Sequence, residues 1–409
     1  MVHEKFRQEH GEPQAIFLDA GGGWGNGENL FTVFTNPVFS LSFKNGTAYL
    51  KEGECERKID GNPLNILEDY FNRNYFAIGY IGYEFFDFLE SRFAPDYSKS
   101  GNSFPDAFFL FFENYEEGKI SQYQDRFREG NISQVEVRPN SNMAKEDYLE
   151  MVRRAQTYIK QGDIYQVNLS QRFDFPFRSS PVDFFFRLYE KQPVPFSCYL
   201  SFGEFNLISG SMELFLRKSG RRLVTRPIKG TRPRGSTSEE DKSLMRELIQ
   251  SEKERAENVM IVDLMRNDLG RICEFGSVKV NNLLEIETYS TLHQMVSEVE
   301  GELREDVTVK EILEATFPPG SVTGAPKIRS MEIIDELEPH LRGPYCGTIG
   351  IFKPSGDFTL SVAIRVVTIK QNEANFWTGG GIVGDSVPEQ EYGETLTKAR
   401  ATKKSLGDR

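Results

Sequence analysis

Cysteine, histidine, basic charge and long apolar runs are all in short supply in this chain. Its four cysteines, at positions 55, 198, 273 and 346 of 409, include no C-x-x-C pair, which argues against a disulfide framework and points to a reducing, cytoplasmic setting. Histidine is equally scarce, at positions 3, 10, 293 and 340. The 49 Lys plus Arg set against 61 Asp plus Glu leave a net charge of −12, which repels a phosphate backbone and argues against nucleic-acid partners. No apolar run approaches the roughly 18 residues a membrane span needs, and the charged stretch from Met1 to Pro13 lacks the apolar segment of a secretory signal. Neither a G-x-S-x-G elbow, an H-E-x-x-H helix nor a G-x-x-x-x-G-K-[ST] loop occurs, so serine hydrolase, zincin and P-loop readings lose their usual support. What the chain does have is bulk: 33 phenylalanines need a large interior, and the length suits two to four domains or one large double-layered unit.

Along the chain, Phe76 to Tyr83 reads as a packed strand with close backbone approach at its glycines, and Gly21 to Gly27 as a loop. The polar stretch Arg138 to Asn142 predicts a boundary that divides residues 1–140 from 141–409. Tyr148, Leu149, Val152, Ala155 and Ile159 then predict a helix, with Asn142 as N-cap and Gly162 as its stop. Alternation from Ile164 to Phe173 predicts a strand with one polar face, Gln166, Asn168 and Ser170. Strands are also expected at Asn206 to Ser209, Glu213 to Arg217 and Arg222 to Ile228. Thr237 and Glu240 resemble a capping box that opens one long helix with Leu244, Met245, Leu248 and Ile249 as its stripe. Tyr345 to Phe352 and Phe358 to Ile369 read as a hairpin turning at Pro354 to Asp357.

Two Glu-x-x-Glu pairs, Glu254 with Glu257 and Glu391 with Glu394, place like charges on one side of a helix each. A solvated helix face gives the same spacing, but two such faces together suit Mg²⁺, which takes one or two carboxylates and keeps open positions for an anionic substrate. Lys398 extends the second face. Arg365, on the strand face of Ser361 and Ala363, can clamp a carboxylate bidentately. Thr378-Gly379-Gly380-Gly381 can bring backbone N–H groups close to an anion, or be merely a flexible turn. Lys229, beside a cluster of cations, is a candidate nucleophile or a surface lysine. His293 is a candidate general acid or a satisfied structural histidine.

Five ordered segments resemble the chorismate-utilising enzymes, most closely their aminodeoxychorismate synthase component I branch. They are Gly162 to Arg172, Pro227-Ile228-Lys229-Gly230-Thr231-Arg232-Pro233-Arg234-Gly235, Val262 to Arg271, Pro319 to Lys327 and Gly379 to Val383. The resemblance spans roughly residues 143 to 405 and implies an α+β fold, antiparallel β-sheets in a sandwich-like core flanked by helices. It further implies a Mg²⁺ cofactor held by Glu257 and Glu394, with Glu254 and Glu391 assisting. Around the chorismate substrate it implies Gly230, Thr231, Ser321, Tyr345, Arg365, Gly379, Gly380, Gly381 and Lys398, with His293 beside the departing hydroxyl.

Water-using relatives carry a lysine where this chain has Gln166, so the nucleophile expected here is ammonia. Relatives making anthranilate usually carry alanine in place of Lys229, whereas the lysine form resembles the branch in which it adds to the substrate ring, with Glu213 as general acid/base. Met212 departs from that branch, which usually has proline. With no Gly-x-Cys-x-Gly context for a glutaminase thiol, ammonia from glutamine requires a second polypeptide, a glutamine amidotransferase subunit. The expected product is 4-amino-4-deoxychorismate, on the route to 4-aminobenzoate and folate. The alternatives are anthranilate synthase component I and a non-catalytic scaffold or regulatory subunit.

Overall fold

The computed structural model describes residues 11–25, 30–90, 99, 104–120 and 139–406. Two large sheets, every pairing antiparallel, form the frame. In the first, the order is Gly324–Ala325, Gln166–Pro176, Glu373–Ile382, Val366–Lys370, Phe205–Ser211, Phe196–Ser201, Ala15–Asp19, Leu30–Phe34 and Glu116–Lys119. In the second it is Ile228–Pro233, Leu292–Glu302, Arg222–Arg226, Leu214–Ser219, Phe358–Val362, Thr348–Phe352, Phe76–Ile81, Ala107–Phe112, Phe39–Lys44, Thr47–Glu52 and Cys55–Ile59. Strands from before and after residue 140 therefore share both sheets.

Alternation along these strands explains the layering. Ala15 and Phe17 face Ile78, Tyr80, Phe112 and Ile349 across the sandwich, while Ile16 and Leu18 turn outward against the Pro181–Lys191 helix. The other outer face packs Leu41, Phe43, Phe109 and Leu216 against the helices Pro63–Phe71, Lys145–Gln161, Glu252–Gly270 and Val309–Thr316. The result is helices, sheet, sheet, helices, as the expected fold class requires. Among the described residues no helix is long and apolar enough to cross a membrane, and the four cysteines are free.

Several local expectations hold. Gly79 lies on the Phe76–Ile81 strand, where a Cβ would collide with the Phe108 carbonyl. Gly162 ends its helix in the left-handed region at φ 84°. Gly21 to Gly25 are bends, whereas Asn26 and Gly27 lie outside the described residues.

Others are corrected. Asn142 is not the N-cap of Lys145–Gln161; that position is Ala144, and the Asn142 amide oxygen instead accepts the Arg172 N–H at 2.8 Å. Tyr165 lies outside the following strand and is 72% exposed, while the polar face of Gln166, Asn168 and Ser170 is buried. The single long helix is two, Ser238–Gln250 and Glu252–Gly270, parted at Ser251, whose hydroxyl caps the second by accepting the Glu254 N–H at 3.4 Å. Of the expected stripe in the first, only Leu248 is buried. Thr237 caps that helix as expected, but Glu240 returns to the Ser236 N–H rather than to the cap itself, so the box is half formed. Arg222 to Ile228 is not one strand, because the chain breaks between Arg226 and Ile228. The hairpin pairs only Thr348–Phe352 with Phe358–Val362. Beyond Val362 the chain crosses to the other sheet, and Arg365 sits at the crossing with φ 51° rather than on a strand face with Ser361.

Candidate functional site

The glycines at 379–381 are mid-strand rather than a turn, in the Glu373–Ile382 strand opposite Ser170, Leu169 and Asn168. What they lack defines the site. A Cβ on Gly379 would lie 2.6 Å from the Ser170 hydroxyl and 3.1 Å from the Tyr345 hydroxyl. On Gly380 it would lie 3.3 Å from Glu391 Oε2 and 3.8 Å from Glu394 Oε1; on Gly381 it would overlap the Gln166 amide and lie 3.6 Å from Glu257 Oε2. A bare strip of backbone thus forms a floor on which Gln166, Tyr345, Glu257, Glu391 and Glu394 converge.

Two helix starts aim the glutamates. Ser251 opens the helix bearing Glu254 and Glu257. Ser386, accepting the Val383 N–H at 3.1 Å, donates to Glu391 Oε1 at 2.7 Å and so fixes the first turn of Pro388–Leu406. Three of the four carboxylates have cationic partners: Glu254 with Arg232 at 2.8 Å, Glu391 with Lys253 at 3.3 Å, and Glu394 with Lys398 at 2.7 Å. Lys398 also donates to the Gly379 carbonyl at 2.8 Å. Glu257 accepts no hydrogen bond among the described residues; burial, then the charges of Glu394 and Glu391, push its pKa up against Lys229 and Lys253. Burial also raises Glu394, but Lys398, Lys253 and Lys229 bring it net below its ordinary value.

Among the described residues no three His, Cys, Asp or Glu side chains form a ready-made metal cage. The donor set is nonetheless the kind Mg²⁺ uses, one or two carboxylates with the other positions left to water and an anionic ligand. Glu257, lacking a partner beside like charge, fits a cation best.

Lys229 is half-buried and donates to the Ser321 carbonyl at 3.1 Å. Burial lowers its pKa, while Glu257 and Glu213 pull it back up. Glu213 is 4% exposed, and its carboxyl is pushed up to about 7 by burial, against a hydrogen bond from Ser321 and the charge of Lys229. Arg365 follows Ala363, whose carbonyl accepts the N–H of Cys346, the chain neighbour of Tyr345, and its Nη1 is buried without a partner. Burial lowers its pKa to about 10 with no carboxylate opposing. An uncompensated guanidinium in such a place is a strong demand for an anion. Gln166 Oε1 is likewise unmet.

The remaining expected residues are placed differently. Gly230, at φ 86°, lies against the Glu254 carboxylate, and Thr231 is exposed. His293 is fully buried with both ring nitrogens engaged, Nδ1 with Thr288 Oγ1 at 2.8 Å and Nε2 with Asp241 at 3.0 Å. Asp241, which no motif signalled, is held well below the usual carboxylate range, first by the Arg234 guanidinium, which donates to both its oxygens. Lys253 and Arg232 were also missed; Lys253 precedes Glu254 and Arg232 lies inside a quoted segment, but only the folded chain shows which carboxylate each meets.

A cavity of about 720 Å³ lies elsewhere, lined by Gly21 to Gly23, Pro193, Pro195, Met212, Leu214, Ile228 and Tyr289 among others. Met212 and Ile228 are the chain neighbours of Glu213 and Lys229, so cavity and cluster back onto the same strands.

Residues 13–404 match the family described as chorismate binding enzyme. Anthranilate synthase component 1 from Acetivibrio thermocellus is 35% identical over 93% of this chain and 86% of its own length. Aminodeoxychorismate synthase component 1 from Bacillus subtilis (strain 168) is also 35% identical, over 91% of this chain and 88% of its own. Among solved structures, anthranilate synthase component I from Streptococcus pneumoniae TIGR4 superposes with a TM-score of 0.80 at 31% identity, covering 92% of each chain. Equal identity to relatives of both names means that overall likeness does not select a product. The sandwich, the glycine strand with its converging glutamates and these matches together place the chain in the chorismate binding enzyme family.

Proposed function

We propose that the protein aminates chorismate with ammonia to give 4-amino-4-deoxychorismate. The observation that carries this reading is Lys229, a half-buried amine with a depressed pKa, held by the Ser321 carbonyl next to the Glu213 carboxyl. In this reading its neutral Nζ forms a bond to C2 of the ring as both ring double bonds shift and the C4 hydroxyl leaves, taking a proton to depart as water. Ammonia then bonds to C4, both double bonds return, and the bond from C2 to Nζ breaks with the pair going back to Nζ, so the lysine is regenerated. Glu213 exchanges protons with Nζ across these steps, which a carboxyl raised to about 7 does near neutrality. Arg365 receives a substrate carboxylate, and Gln166, an amide without a useful basic pKa, does not activate water in place of ammonia.

Mg²⁺ would be held by Glu257 and Glu394, with Glu254 and Glu391 around them, and would supply electrostatic stabilisation of substrate carboxylate and leaving oxygen. Ammonia would come from a separate glutamine amidotransferase subunit, consistent with relatives named as a component 1. The intact cluster of glutamates and Lys229 speaks against a silent scaffold.

The second reading, anthranilate formation, is favoured by relatives of that name. Incubation with chorismate, ammonium and Mg²⁺ separates the two. Our reading expects a product that yields 4-aminobenzoate only after the appropriate lyase is added, whereas anthranilate appearing without a lyase would overturn it.

A further inference from the structure

Behind the glycine strand lies a buried ion pair outside all the quoted segments. Arg342 and Glu338 are each 2% exposed and meet fork to fork, Nε to Oε2 at 2.9 Å and Nη2 to Oε1 at 2.7 Å. Their other bonds go to main chain. Glu338 Oε1 accepts the Ser170 N–H at 2.8 Å, and Arg342 donates to the carbonyls of Asn168 at 2.7 Å and Val322 at 3.0 Å. The N–H groups of Arg342 and Gly343 end on Glu84 at 2.6 and 2.9 Å, and the guanidinium lies 4.6 Å over the Tyr83 ring and 6.0 Å from that of Tyr345.

These backbone atoms belong to separate walls of the site. Asn168 and Ser170 flank the strand position opposite Gly380, on the strand that carries Gln166. Val322 follows Ser321, whose carbonyl holds Lys229. Tyr345 follows Arg342 by three positions. One ion pair is therefore bonded to the strand paired with the floor of the site and to the turn that holds its lysine.

Stability alone is a poor reason for such a pair, because replacing a buried ion pair by apolar residues of similar size is often neutral or stabilising. A rigid fork with fixed donors does what apolar packing does not: it sets the separation of two backbones. We propose that Arg342 and Glu338 are positioning residues that hold the Lys229 wall at reacting distance from the Gly379–Gly381 floor. The proposal rests on the site being the amination centre argued above.

The test uses the full chain with chorismate, ammonium and Mg²⁺, measuring kcat, KM and thermal midpoint for the double variant Arg342→Met with Glu338→Met. A misplacement near 1 Å lowers rate on the order of 100-fold, so kcat should fall by about that factor while KM moves less than about threefold and the midpoint is retained. Should the double variant fail to fold, Arg342→Lys keeps a cation for Glu338 but loses the fork to Asn168 and Val322, and should show the same split. A folded variant with kcat within twofold of wild type, or one in which KM alone rises, would overturn the proposal. Wild-type protein that produces no aminated product would overturn the site reading itself, a distinct result, and the proposal with it.

Discussion

The segments bearing Glu213 and Lys229 have two unlike sides. On one, Met212, Leu214 and Ile228 border the roomy cavity, whose arginines each leave a buried Nε without a hydrogen bond but otherwise have partners: Arg226 pairs with Glu287 and Glu298, and Arg217 donates to the carbonyls of Gly22 and Gly23. On the other, Glu257 accepts no hydrogen bond among the described residues and Gln166 lacks a partner for its oxygen, while Arg365, at the sheet crossing, has no counter-charge. Unmet polar demand in a buried place costs free energy unless a ligand answers it. Chemistry is therefore assigned to the crowded face and not to the larger hollow.

The sharpest way to break that assignment is Lys229→Ala. Turnover should fall by at least ~10²-fold, the lower end of what a positioned proton-transfer group supplies, and a substrate adduct trapped on the wild type by intact-protein mass spectrometry should be absent. Full activity in the variant would return Lys229 to the status of a surface lysine. Next in size is Glu257→Gln, which removes the one glutamate of the four that has no ion pair or hydrogen bond among the described residues. Mg²⁺ titration by calorimetry should weaken at least tenfold together with activity, and an unchanged titration would strike Glu257 from the ligand set.

Glu213→Gln probes the same face through pH. Burial moves this carboxyl from 4.5 to about 7, so the folded protein keeps a proton there across that window after the unfolded chain has released it. Stability from this source is present below pH 4.5 and is lost as pH rises through 7. Proton donation by Glu213 should fade through the same window, giving the wild-type rate an alkaline limb near 7 that the glutamine variant lacks. A limb that survives the substitution belongs to another group.

How much of this was legible in the sequence depends on the range of the interaction. The helical spacing of the glutamate pairs and the alternation of the strands are local, and they led directly to individual strands and to the two carboxylate faces, whereas the sandwich came from the family resemblance. Gly379 to Gly381 announced close approach but not its form, since a turn and a bare strand share that composition. The break at Ser251 was hidden because the charged, apolar-poor stretch on either side keeps helical composition throughout. The sheet crossing at Arg365 was hidden because period-two alternation runs through it unchanged. His293 stood between a general acid and a satisfied structural histidine, and only the fold, which brings up Asp241 from 52 positions earlier and Thr288, shows both nitrogens engaged. Arg342 and Glu338 belong to no segment that the sequence singled out; their burial and their bonds to residues some 170 positions away exist only in the fold.

The smallest expected effect tests whether the two faces are independent in the free protein. Ser290 is exposed at the cavity and belongs to neither the glutamate cluster nor the lysine wall. Ser290→Trp would occupy part of the hollow with a large ring, and exposed substitutions usually alter stability by no more than ~0.5 kcal/mol. Leu214–Ser219, next to Glu213, is paired on both sides, with Arg222–Arg226 and Phe358–Val362, and the edge strand Ile228–Pro233 is held by Leu292–Glu302, so filling the hollow need not move Glu213 or Lys229. Steady-state kinetics with chorismate and ammonium should therefore change by less than about twofold. A tenfold loss of kcat would mean that pressure on Met212 and Ile228 reaches the next residue along each strand, and the two faces would have to be treated as one coupled device.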